Sequence, residues 1–75
     1  MTIAERVAGV LSQVLQTRIE AGDLVDRAQT TKWDSLNHLR IVLAFEEEFG
    51  IRLDVDDVGA IRSSADLVHL AELAS

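Results

Sequence analysis

The chain has 75 residues, room for one small domain that buries only about 60% of its unfolded surface, so a second domain is excluded. With 48% hydrophobic residues, 4% aromatic, and neither proline nor cysteine, it is too apolar for a disordered tail, and disulfide or zinc-thiolate frameworks are excluded. Seven basic against 13 acidic side chains leave a net charge of −6, which argues against nucleic-acid binding, since that needs clustered cations.

At the N-terminus, Met1 to Arg6 shows no basic region followed by a long apolar run, and no later stretch approaches the length of a membrane span. A cytoplasmic protein with no membrane partner is the expectation. Thr2 three positions before Glu5 is a capping-box pattern, and Ile3, Val7, Val10, Leu11 and Val14 recur at helical spacing, which predicts a first helix over residues 2–16. Residues 17–34 are the least regular stretch. Gly22 and several charges mark them as a loop, with Ile19, Leu24 and Val25 available to pin it to the core. A loop of that length is uncommon in so small a domain unless it has a function.

A second helix is predicted over residues 35–49, with Asp34 as its N-cap and Ser35 as its first residue. A hydroxyl at that position is exposed and faces the unpaired N–H groups of the first turn, so a phosphodiester attached there is electrostatically favoured. Projection of the helix puts Leu39, Val42, Phe45 and Phe49 on a core side, with His38 packed among them rather than gripping a ligand. Leu36 and Leu43 fall opposite, beside Arg40 and Glu47. Isolated exposed leucines are ordinary; two of them one and eight positions after Ser35, with a charged rim, have the anatomy of a docking stripe. From Asp34 to Asp57 there are seven acids against two bases, so most of the excess charge lies in the segment that starts at Ser35. A solvated face is the plain explanation of such a run, and steering of basic partners the functional one.

Asp54 ahead of Asp57 and Ser63 ahead of Asp66 predict two further starts: a short helix over 54–60 and a last helix over 64–74, with Ile61, Leu67, Val68, Leu70, Ala71 and Ala74 facing the first. Asp54, Asp56 and Gly59 match three positions of a calcium loop. Val58 and Ala65 occupy two ligand positions of that loop without an oxygen to offer, and capping explains the acids better. Asp34, Ser35 and His38 include the residue types of a nucleophilic triad, but no strand-to-helix elbow or oxyanion hole accompanies them.

Asp34-Ser35-Leu36, the acidic amphipathic helix after it, Glu46-Glu47-Glu48-Phe49-Gly50-Ile51 and Leu53-Asp54-Val55-Asp56-Asp57 together resemble the acyl carrier protein family over nearly the whole chain. The resemblance implies an all-α fold: a four-helix bundle with a long loop between helices 1 and 2 and a short third helix. It implies no catalytic residues. A phosphopantetheinyl transferase would attach 4′-phosphopantetheine from coenzyme A to Ser35, beside the motif acid Asp34, and the arm would carry an acyl or aminoacyl thioester. Implied partners are an acyl-loading ligase or acyltransferase and a synthase or other acyl-processing enzymes, met by a monomer through Leu36, Asn37, Arg40, Leu43, Glu46, Glu47, Asp54, Asp56 and Asp57. The interior among Leu39, Val42, Phe45 and Ile61 corresponds to the place where the family shelters an acyl chain. Trp33 and Arg40 depart from the fatty-acid members and look more like discrete carriers of specialised, polyketide-like or secondary-metabolite pathways. An unmodified helical interaction module is the alternative class; it places no chemical requirement on Ser35.

Overall fold

The computed structural model describes residues 1–74, and its four α-helices begin where side chains take up the orphan N–H groups. Helix α1 (Ile3–Leu15) starts with a complete capping box: the Thr2 hydroxyl accepts from Glu5 N–H at 3.1 Å and the Glu5 carboxylate accepts from Thr2 N–H at 2.9 Å. The bonds from the Thr2 N–H and hydroxyl hold the Glu5 carboxyl below the usual carboxylate range. Their support for α1 is therefore present at neutral pH and is lost as pH falls through the lowered value. Helices α2 (Ser35–Phe49) and α3 (Val55–Ala60) are capped by Asp34 and Asp54, whose carboxylates accept from Asn37 N–H and Asp57 N–H, each at 2.8 Å. Helix α4 (Ser64–Ala74) follows Ser63, whose hydroxyl accepts from Asp66 N–H at 3.3 Å, while the Asp66 carboxylate reaches back one residue further than a capping box, to Arg62 N–H at 2.8 Å.

Helix α1 packs against both α2 and α4 around Val7, Val10, Leu11, Leu15, Trp33, Ile41, Val42, Phe45, Ile61, Leu67 and Ala71. The described residues thus form an all-α bundle whose only strand-like feature is one isolated bridge. None of its helices is long and apolar enough to cross a membrane. Arg6 clamps the start of α1 to the end of α2: it donates to the Glu48 carboxylate at 2.8 Å and to the Glu48 carbonyl at 2.7 Å, with its guanidinium 4.4 Å above the Phe49 ring.

The long loop is tied down at several places. Ser12, inside α1, accepts from Ile19 N–H at 3.0 Å and donates to the Ala8 and Ile19 carbonyls. Further on, Asp26 and Ser63 form the antiparallel bridge, with Arg27 N–H to Arg62 C=O and Ser64 N–H to Val25 C=O both at 2.8 Å. The buried Ser64 hydroxyl also accepts from Val25 N–H at 3.0 Å. A 3₁₀ turn at Arg27–Gln29, capped by Asp26, completes the path. These bonds account for an ordered loop with little apolar surface of its own. Ile19 and Val25 pack on the core as expected, but Leu24, expected to pin the loop, is 89% exposed because the adjoining backbone is held by hydrogen bonds instead.

Helices α1 and α2 both end in a left-handed residue whose successor bonds back to the last turn: Thr17 N–H to Ser12 C=O after Gln16, and Ile51 N–H to Glu46 C=O after Gly50. Glycine takes the φ of 65° at Gly50 without strain, whereas Gln16 holds φ 53° against its own Cβ. Gln16→Gly is expected to stabilise the fold by about 0.5–1 kcal/mol, read as a higher urea midpoint at unchanged slope; a lower midpoint would contradict this account of the α1 terminus.

Candidate functional site

Ser35 is the first residue of α2 and is exposed; among the described residues its hydroxyl makes no hydrogen bond. The chain around it is tightly held. Asp34 spends its carboxylate on Asn37 N–H and its carbonyl on His38 N–H at 2.8 Å. Asn37 donates from its side chain to the Lys32 carbonyl at 2.7 Å, and Trp33 N–H bonds to Thr30 C=O at 2.9 Å. The turn before α2 is thereby folded onto the helix's own first turn.

Beneath this turn lies a buried polar relay. Trp33 is buried, and its indole N–H donates to His38 Nδ1 at 2.9 Å, the rings stacked with centroids 6.2 Å apart. An indole N–H can only donate, so Nδ1 is the acceptor and the ring proton sits on Nε2, which lies 2.9 Å from the Val58 carbonyl and donates to it. Every polar atom of the pair is satisfied, and loop, α2 and α3 are joined through it. The expectation of a packed His38 holds. With both ring nitrogens bonded elsewhere, His38 is not placed as a base for Ser35.

The exposed face of α2 is broader than its sequence projection suggests. Leu36, Leu39 and Leu43 are 58%, 57% and 66% exposed and sit at i, i+3 and i+7, one stripe starting beside Ser35. Placing Leu39 in the core and in an acyl-sheltering interior is therefore corrected. The true core stripe is His38, Ile41, Val42 and Phe45, with Phe49 partly buried at its end, and Ile41 takes the place assigned to Leu39. Helical projection carries the signal, because Leu39 lies angularly closer to Leu36 and Leu43 than to Phe45. Of the other positions proposed to shelter a chain, Val42 and Phe45 are buried in the packed core, and Ile61 is buried at the edge of a surface cleft.

Around the leucines, Arg40 is exposed, with a long contact of 3.4 Å to Asn37, and Glu47 is exposed. Glu46 folds back to accept from Leu53 N–H at 2.7 Å, which fixes the connection between α2 and α3. Asp54 caps α3, Asp56 is exposed, and Asp57 is partly buried. Three of the predicted partner residues, Asn37, Glu46 and Asp54, thus also serve local structure through their side chains.

On the loop side of Trp33 a cleft of about 680 Å³ opens between the 3₁₀ turn and α3, lined by Asp26, Arg27, Ala28, Trp33, Gly59, Ile61 and Arg62. Its two arginines were not singled out in the sequence, where they stand far apart. No protein-family model matches the chain, and no solved structure matches it.

Replacing His38 by Leu leaves the Trp33 indole N–H and the Val58 carbonyl without partners. The expected cost is about 2–3 kcal/mol in urea unfolding followed by Trp33 fluorescence; a cost below about 0.5 kcal/mol would show that the relay does not hold this end of α2.

Proposed function

We propose that the chain is an acyl carrier protein and that Ser35 Oγ is the attachment point of a 4′-phosphopantetheine arm. The single observation that carries the reading is the state of Ser35: exposed and, among the described residues, without a hydrogen bond to its hydroxyl, at the first position of a helix whose flanking turn is held by Asp34 and Asn37. The residues present fit such a group. The serine oxygen is free to be esterified, the first-turn N–H groups and the helix dipole favour a phosphodiester there, and no buried side chain has to move. When attached, the arm supplies a terminal thiol that holds an acyl or aminoacyl group as a thioester.

The chain's own residues do the presenting. Asp34 caps α2 and holds Ser35 at its tip, while the relay from Trp33 through His38 to Val58 keeps that tip fixed against α3. Leu36, Leu39 and Leu43 offer an apolar stripe to a transferase, a loading enzyme or a synthase, and Glu47 and Asp56 contribute acidic charge to the approach. Arg40, at the rim of the stripe, favours a narrower set of partners than bulk fatty-acid synthesis employs, in keeping with a specialised, polyketide-like or secondary-metabolite pathway. A cytoplasmic location belongs to the same proposal.

Incubation with coenzyme A and a broad-specificity phosphopantetheinyl transferase is expected to add one phosphopantetheine mass to the wild type and none to Ser35→Ala. A wild type without the increment would overturn the reading in favour of an unmodified interaction module. For the docking face, Leu43→Ala and Glu47→Lys are each expected to lower the kcat/KM of that modification roughly fivefold to tenfold at low salt with helical content intact, the Glu47 effect shrinking as salt rises. Unchanged rates would remove the stripe from the account.

A further inference from the structure

The chain carries seven basic side chains in all, and most are partnered or lie apart. Arg6 is paired with Glu48 and Arg18 with Glu20. Arg27 and Arg62 are different. Their backbones are bonded to each other across the Asp26–Ser63 bridge, both residues line the same cleft, and among the described residues neither guanidinium forms an ion pair. The one carboxylate in the cleft wall, Asp26, is bonded to Ala28 N–H at 2.9 Å, and two arginines against one aspartate leave the wall with a charge of +1.

Two arginines on the wall of one concavity give it a cationic lining, which a bound anion satisfies through charge-assisted bonds. Arginine is the cation best suited to this, because its planar fork matches a carboxylate with two parallel bonds. Trp33 and Ile61 give the cleft an apolar wall, and Gly59 adds no side chain to narrow it. At about 680 Å³ it is within the range of small-molecule sites. It also adjoins the candidate modification site: Trp33 precedes Ser35 by two residues, so their Cα atoms are at most about 7 Å apart.

We infer that the cleft between Arg27 and Arg62 is a binding site for an acyl group ending in a free carboxylate, the half-thioester of a dicarboxylic acid. This rests on the carrier reading and names the class of its cargo. The arm's phosphodiester is bonded at the tip of α2, where the first-turn N–H groups face it. A carboxylate at the far end of the cargo has no such partner, and the two guanidiniums supply one. The aliphatic part of the cargo lies against Trp33 and Ile61.

The single tryptophan is a built-in reporter. The Ser35-modified protein is loaded with succinyl or butanoyl thioester, acyl chains of equal carbon number with and without the carboxylate, and the Trp33 indole N–H resonance is followed in wild type, Arg27→Gln/Arg62→Gln and Arg27→Lys/Arg62→Lys. The succinyl form of the wild type is expected to shift the resonance away from its position in the butanoyl form, the glutamine pair to abolish that difference, and the lysine pair to retain part of it. Equal positions for the two cargoes in the wild type, or a difference that survives in the glutamine pair, overturns the inference. An arginine-dependent shift already complete on attachment of the bare arm assigns the cleft to the phosphate and overturns the cargo assignment. If no arm attaches, the carrier reading fails on its own, and the unmodified chain is titrated with free succinyl-pantetheine. There, binding weakened roughly tenfold or more in the glutamine pair supports an anion site, and arginine-independent binding or none overturns it.

Discussion

The hydrogen bond from the Trp33 indole to His38 Nδ1, continued from Nε2 to the Val58 carbonyl, is the constraint on which the rest of the site depends. The two side chains bracket Ser35 in sequence, and both are drawn into the interior. With residues 33 and 38 anchored below, the helical path between them has to bring Asp34, Ser35 and Leu36 to the surface. The exposure of the serine is thus a consequence of where its neighbours are buried. Because the relay is fully satisfied in a low-dielectric setting, it is strong and geometrically selective, and it couples the start of α2 to α3 without a salt bridge.

How much of this was legible in the chain depended on the range of the interaction. The helix starts were, because a cap joins residues two or three apart: Thr2 with Glu5, Asp34 with Asn37, and Asp54 with Asp57 are all as the spacing implied. The loop was not, because its fastenings come from residues in other elements. Ser12 and Ser64 fall within the spans predicted as helix, yet each holds a stretch of loop backbone. The side assigned to Leu39 failed for a different reason. Hydrophobicity does not rank the two residues, but projection does, since Ile41 lies angularly nearer Phe45 than Leu39 does, and Ile41 is inside and Leu39 outside. That exchange extends the exposed apolar stripe beside Ser35 from two leucines to three. The Trp33–His38 contact had a faint signal, a polar ring on the core side of α2 within reach of a tryptophan five residues earlier.

Charge is distributed with a similar economy. The acids between Asp34 and Asp57 carry most of the net charge of −6, and several also close helix ends or loops: Asp34 and Asp54 as caps, Glu46 on Leu53, Glu48 on Arg6. These structural uses leave the segment's excess of acidic over basic residues in place, so the formal charge around α2 is negative. Behind Trp33 the sign reverses locally, where Arg27 and Arg62 share a cleft. The buried tryptophan therefore stands between an acidic surface suited to basic partners and a small cationic recess suited to an anionic ligand.

The central claim is that Ser35 is esterified in the living cell. Tandem mass spectrometry of the chain isolated from its native cells, on the peptide containing Asp34-Ser35-Leu36, tests it most directly. The account predicts a phosphopantetheine adduct localised to Ser35, with release of a pantetheine fragment. A peptide recovered only in unmodified form, under conditions in which a co-purified carrier of known modification shows its adduct, would contradict it.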